Sequence, residues 1–496
     1  MADEGLLLQL IVVPLIFVPI TYFGSRWLHK KTGWIAFLPL AYASLIMIYL
    51  TGYVASNGSV VGIWPLAPSV GLNFILVADG LSTPITLTLA ILCAVVSVFS
   101  MPYMEHKIHE TGWGHGPYYA LYLLYSVGMI GTALSANLIQ FYFFWELMLL
   151  PSWAMINIWG YGEREKIALK YFIYTHLGSL SLLAGILVTY ATFGTFNLME
   201  ILSLTGSGML KIGLARWIVF ALFLGLAVKM AIVPFHTWLP DAHAEAPTPI
   251  SALLSPAMIG LGGYALVRLA YMVLPEAFQQ FSLAFSIVAL ITMIYGGVMA
   301  LAQDDIKRLL AYSSISQMGY LLFGIASSSP LGVAGSMFHY VSHGTCKCIL
   351  FIMAGAIMLQ THGIRSVSKL GGLAGKMPLT ALCGLIGFLG IAGTPPLNGF
   401  QSEWLIFSGS YAGAIALHDM GRVVLVSIAL IGSVLTAGYA LWTIRRVFFG
   451  QLPDHLKDVH EAPLTVTLPM LVLAFVTVLL GVYPKPIMDL LSLIFS

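Results

Sequence analysis

Fourteen apolar runs constrain this 496-residue chain more than any other feature. They lie near residues 6–24, 34–53, 80–101, 117–135, 138–158, 167–193, 213–235, 249–273, 280–302, 309–327, 331–359, 378–408, 423–447 and 464–484. A helix of roughly 18–25 apolar residues spans the hydrocarbon core of a bilayer. The chain is 59% hydrophobic and 8% charged, where a soluble domain carries about 25% charge. The expected fold is an all-α polytopic membrane protein of about fourteen spans. The amino terminus, Met-Ala-Asp-Glu-Gly, lacks the basic region of a signal peptide, so the first run is expected to be a retained helix.

Basic residues test that count, because cytoplasmic loops attract Lys and Arg. Loops after odd-numbered spans hold Arg26, Lys30, Lys31, Lys107, Arg164, Lys166, Lys307, Arg308, Arg365, Lys369, Lys376, Arg445, Arg446 and Lys457. The opposite side holds only Lys211, Arg216, Arg422 and Lys485. One span missed in mid-chain would scramble this bias. Both termini are therefore expected on the side away from the basic loops. The expected localisation is that of an integral, multi-pass protein of a prokaryotic cell (inner) membrane.

Lys170, Lys229, Arg268 and Lys347, with the acids Glu146 and Glu403, fall inside spans or at their ends. Burying an ion in lipid costs at least about 2.5–3.5 kcal/mol on the lenient insertion scale, so each needs a reason. Lys229 interrupts the run of span 7, and Pro234 follows it. Proline has no N–H, so the carbonyl of Met230 loses its helical partner and the helix must bend or break. Gly393-Thr394-Pro395-Pro396 breaks span 12 in the same way. The intervals Ala133–Trp238 and Ala300–Trp404 are nearly equal, and each ends in a proline-broken span followed by Phe and Trp. Two units of five spans, 4–8 and 9–13, must lie inverted with respect to one another. Inverted repeats with paired broken helices point to an ion path at the midplane. The expected segments are residues 1–116 (three spans), 117–275 (first repeat), 276–450 (second repeat) and 451–496 (last span).

Glu146 sits in an otherwise apolar helix, and alone it reads equally as a structural ion pair or a neutral acid. Lys229 on span 7 changes that balance, because a Glu–Lys pair whose separation changes is a proton switch. His339, His343 and Lys347 recur every fourth residue, which places all three on roughly one helical face. With Ser342 and Thr345 nearby they look like a stepping line for protons, and histidine titrates near neutrality. Glu403, just after the second break, could end that line; a solvated acid at the span's edge is the alternative. Arg268 and Lys170 read as anchors that snorkel to the interface or pair locally. His236, Asp241, His243 and Glu245 lie in Pro-rich connecting backbone rather than in a metal-binding helix pattern. Cys93, Cys346, Cys348 and Cys383 lack CxxC or metal-ligand spacing and read as small core residues. No phosphate-binding glycine loop and no haem or iron–sulfur spacing is present. No cofactor, metal or nucleic acid is expected on this chain.

Several strings carry a resemblance. Phe-Trp-Glu-Leu at 144–147, Lys229 with Pro-Phe-His-Thr-Trp-Leu-Pro-Asp-Ala-His at 234–243, Ala-Pro-Thr-Pro at 246–249 and Ala-Tyr-Ser-Ser-Ile-Ser-Gln-Met-Gly at 311–319 resemble the antiporter-like proton-pumping subunits of respiratory complex I and its relatives, of the subunit M (chain 4) type. Asp79-Gly80-Leu81-Ser82 fits as well. The resemblance implies proton pumping driven by redox chemistry in other subunits. Carried over by position, Glu146 and Lys229 match the coupled pair, His343 the central-axis histidine, and Glu403 the glutamate of the second broken helix. Lys347 stands where sibling subunits have lysine, and His339 extends the line. Two positions depart: Gly260 stands where the family usually has a lysine, and Gln317 where a histidine is common.

The implied function is that of a proton-translocating membrane subunit of an NADH:quinone-oxidoreductase-like pump, an enzyme complex whose redox centres lie elsewhere. Its expected partners are other antiporter-like and small membrane subunits, with a peripheral redox arm that carries iron–sulfur clusters and a flavin. A quinone or similar lipid carrier would be used by the complex and not bound here. The alternative is a subunit of a multisubunit Na⁺/H⁺ antiporter, or of a ferredoxin- or deazaflavin-dependent relative. A solute carrier would need a roomy polar midplane cavity rather than a thin polar line. An inert scaffold does not account for six intramembrane ions.

Overall fold

Long apolar sequences with no interior hydrogen-bonding alternative form helices in a bilayer, since the helix satisfies its own backbone. The computed structural model describes residues 2–67, 72–205 and 210–495, and helices follow the expected spans closely. Among the described residues eleven helical stretches are long and apolar enough to cross a membrane. The first, Asp3–Asn57, holds two spans, and His115–Leu134 and the broken pair Pro378–Ile391 and Asn398–Ala416 complete the fourteen.

Both breaks fall where proline places them. The first half of span 7 is Ile212–Lys229, and helix resumes at Leu239–Glu245. Span 12 is split into Pro378–Ile391 and Asn398–Ala416. Ala231 and Gly393, each two residues past the end of a first half-helix, share a positive φ, +56° and +63°. The carbonyl of Val228 accepts the indole N–H of Trp238 at 3.0 Å beside the Ala231 N–H at 3.1 Å, so the tryptophan after the break helps cap the helix before it. Gln317 does the same for the second break, its amide donating to Ile391 O at 3.5 Å.

Span 11, Pro330–Gln360, is buried from Gly332 to Met358 and packs on spans 3, 8, 10, 12 and 14. Its polar residues therefore face protein throughout. Span 8, Thr248–Tyr271, contains two π turns, Leu254–Met258 and Val267–Tyr271. The segment joining spans 2 and 3 is a hairpin that the all-helical expectation did not include. Strands β1 (Ser59–Ala67) and β2 (Leu72–Asp79) pair antiparallel from Ser59↔Asp79 to Ala67↔Leu72. Beneath it, the closing helix Lys485–Phe495 buries Ile487, Leu490 and Leu491 and crosses Gly80, where a Cβ would lie 2.1 Å from Leu490 O.

The basic loops do share a face. Asp241, after span 7, pairs with Lys170 (2.7 Å) at the base of span 6 and Arg308 (2.8 Å) at the base of span 10. Arg365, after span 11, pairs with Asp305 before span 10 at 3.2 Å.

Candidate functional site

Lys229 is the last residue of its half-helix, where unsatisfied carbonyls favour a cation. Its side chain is 1% exposed and its Nζ has no hydrogen-bond partner among protein atoms. The ammonium lies 5.3 Å from the centre of the Trp145 ring, and Trp145 is fixed by donating to Ser179 Oγ at 3.1 Å. Glu146, the next residue on span 5, makes no ion pair with Lys229 within 4.0 Å. Its Oε2 instead faces His176 Nδ1 at 3.2 Å, while Oε1 is buried and unpartnered. His176 is a residue that sequence reading missed; nothing in its span marks it beyond being a histidine in an apolar run.

The second group surrounds span 11. His339 and His343 are each 1% exposed and Lys347 is fully buried. His339 Nδ1 is 3.0 Å from Ser402 Oγ, and that hydroxyl donates to Gly399 O at 3.0 Å, which places the histidine proton on Nδ1. The His339 and His343 rings are 6.5 Å apart, and neither ring nitrogen of His343 has a protein partner. Lys347 donates to Leu310 O at 3.2 Å and to Ser313 Oγ. Glu403 is 6% exposed, so the solvated alternative does not hold. Its carboxylate lies against the second break: a Cβ on Gly393 would sit 2.5 Å from Glu403 Oε2. Oε1 has no protein partner.

Six residues singled out from sequence thus fall into two groups, the part-buried Glu146 near the buried Lys229, and the buried His339, His343, Lys347 and Glu403. Gly260 lies between them on span 8. A Cβ there would come within 2.5 Å of the Tyr340 ring, and the Tyr340 hydroxyl donates to Ala257 O at 2.9 Å. The tyrosine occupies the room a longer side chain would need.

Three assignments change with tertiary contacts. Arg268 does not reach the interface: it holds Asp79 through two 2.7 Å bonds, tying the hairpin to span 8. Lys307, counted among loop cations, is fully buried in the first turn of span 10 and donates to Ala246 O and Ala244 O. His243, weighed only as a metal ligand, is fully buried with both ring nitrogens unpartnered and stacks on Phe351 at 4.9 Å. Burial raises the Glu245 carboxyl above the ordinary range, against the opposing pull of Arg365, Lys307 and Arg308. No cluster of three His, Cys, Asp or Glu able to hold a metal occurs among the described residues.

Ionisable groups enclosed at helix breaks in this way can hold and pass protons. Residues 135–436 match the family described as NADH:quinone oxidoreductase/Mrp antiporter, TM. The F(420)H(2) dehydrogenase subunit M of Methanosarcina mazei is 33% identical, over 97% of this chain and 95% of its own. The NADH-quinone oxidoreductase subunit M of Rickettsia prowazekii is 31% identical, over 97% and 95%. Among solved structures, a chain of respiratory complex I from Thermus thermophilus superimposes with a TM-score of 0.86 at 27% identity, covering 98% of each chain.

Proposed function

Because this chain belongs to the NADH:quinone oxidoreductase/Mrp antiporter transmembrane family, we propose that it is a proton-translocating membrane subunit of a redox-driven pump of the complex I type. It is a multi-pass integral membrane protein, and its relatives place it in a prokaryotic cell membrane. Electron transfer belongs to partner subunits, with flavin and iron–sulfur clusters in a peripheral arm and a quinone-like carrier at the membrane. The donors named for relatives are NADH and F(420)H(2).

One observation carries the reading: a fully enclosed Lys229 ammonium at the end of a broken helix, with Glu146 near it but not paired to it. When Glu146 moves toward Lys229 the opposite charges favour the protonated ammonium, and withdrawal lets that proton go. The breaks supply the movable element, since Ala231–Trp238 and Ala392–Leu397 are not bound into continuous helix. From Lys229 the proton passes toward His343 and Lys347, with His339 and Glu403 completing the line at the second break. Gly260 and Tyr340 separate the two clusters, so transfer between them uses the span 11 residues rather than a lysine on span 8.

The purified complex in proteoliposomes tests this directly. Lys229→Ala and Glu146→Gln are expected to reduce proton uptake and coupled electron transfer together. Normal pumping by assembled Lys229→Ala complex would refute the mechanism. Replacing Na⁺ by K⁺ in the same vesicles separates a proton pump from a sodium-coupled antiporter.

A further inference from the structure

His176 lies on span 6, Arg164–Phe193, twelve residues from its start, or about 18 Å along the helix axis. That depth is near the middle of a hydrocarbon core about 30 Å thick. One face of the ring stacks on Phe172 with centroids 5.3 Å apart. Nδ1 meets Glu146, yet the side chain is 39% exposed, against 19% for Glu146. Around it the outer surface is apolar: Phe143, Leu150, Ile173, Leu177 and Leu180 are all exposed.

The described residues offer Nε2 no hydrogen-bond partner, and a polar atom left without one at this depth is costly in a bilayer. Two polar groups, Glu146 and His176, therefore lead from the enclosed Lys229 to a polar point on a mostly apolar outer face. The matching surface is a transmembrane helix of another subunit, apolar except for one protonatable side chain at mid-depth.

We infer that His176 is a proton-relaying residue that exchanges protons between Glu146 and a protonatable side chain of the membrane subunit covering span 6. The step rests on the reading of this chain as a proton-translocating subunit. With Nδ1–H directed at Glu146 Oε2, the ring accepts a proton at Nε2 and gives the Nδ1 proton to the carboxylate. One proton has then crossed from the neighbour to Glu146, and the ring is left as the neutral Nε2–H tautomer. Glu146 thus has an outer partner in His176 and an inner one in Lys229, and it passes charge by changing between them. The titratable groups on helices packed against span 6 are Glu146 and Tyr142 on span 5, Arg216 and Lys229 on span 7, and Asp241, His243 and Glu245 on the helix after its break. Of these Asp241 is held by Lys170 near the base of span 6.

The assembled complex in proteoliposomes supplies the test, with His176→Gln, His176→Lys and Lys229→Ala compared. His176→Gln keeps a hydrogen bond to Glu146 but cannot titrate. Its coupled turnover is expected to fall by roughly tenfold or more, in keeping with the loss of a positioned acid–base group. Its rate-versus-pH curve is expected to lose one inflection of the wild-type curve, and His176→Lys to recover part of the rate at a displaced pH. A cysteine at Leu177 is expected to crosslink to the adjacent membrane subunit. Wild-type pumping and pH profile in His176→Gln, with Lys229→Ala inactive, overturn the relay while leaving the functional reading intact. Unimpaired Lys229→Ala overturns the functional reading itself. Failure of both His176 variants to assemble, or no crosslink from position 177, also counts against the relay.

Discussion

Gly393→Ala probes how the second break holds Glu403. Two costs follow from the geometry. Gly393 has φ +63°, a left-handed conformation that costs an L-residue about 1–2 kcal/mol. The new Cβ would also lie 2.5 Å from Glu403 Oε2, well inside van der Waals contact. Overpacking a buried site costs about 1–3 kcal/mol, but here the clashing atom ends a flexible side chain, so the lower end applies and the carboxylate moves instead. The sum is about 2–3 kcal/mol, with Glu403 displaced from the break. In a Glu403→Ala background the clash is gone and only the backbone cost remains. A double-mutant cycle should then show coupling of at least about 0.5 kcal/mol, as for residues in contact. The assays are thermal inactivation of the purified complex, for stability, and proton uptake per electron in vesicles, for function. Gly393→Ala is expected to lower both. Strict additivity with Glu403→Ala, or wild-type pumping by Gly393→Ala, would show that the close contact does not position the carboxylate.

Two further outcomes come from charges outside the two clusters. Arg268→Ala leaves Asp79 buried without its guanidinium, and breaking a buried pair from one side costs about 3–5 kcal/mol; limited proteolysis of the β1–β2 hairpin should become faster, and Asp79→Asn with Arg268→Gln together should cost less than Arg268→Ala alone. Burial raises the Glu245 carboxyl, so its ionised form is the disfavoured one in the fold. That penalty is absent below the ordinary carboxylate range, grows as pH rises from there toward the raised value, and is complete above it. Glu245→Gln is expected to match wild-type thermal stability at low pH and exceed it modestly at alkaline pH, and an advantage confined to low pH would contradict the sign.

Much of this protein was legible in its sequence because the bilayer leaves few options. Apolar run length located the spans, since a helix is the only way these segments satisfy their backbone in lipid. Proline located the breaks, because a missing N–H acts locally whatever surrounds it. Lys229, Glu146, Lys347, His339, His343 and Glu403 stood out because charge or polarity within an apolar run is costly and rare. The strands Ser59–Ala67 and Leu72–Asp79 escape a reading by apolar run length, because their β-branched and aromatic residues lie in runs too short to cross a bilayer as helix.

Sequence by itself determined where helices run, where they stop, and which residues are costly to bury. Only the tertiary structure decided what those residues meet. Arg268 reads as an interface anchor or a locally paired cation until the fold brings Asp79, 189 positions away, to it. Lys307 looked like a loop cation until the carbonyls of Ala244 and Ala246 enclosed it. Gly260 reads as a lost station in one dimension and as the space filled by the Tyr340 ring in three. Glu146 pairs with His176 rather than Lys229, a choice set by how spans 5, 6 and 7 pack. Local chemistry follows from adjacent residues along the chain, whereas the partner of a buried charge comes from helices that meet only after folding.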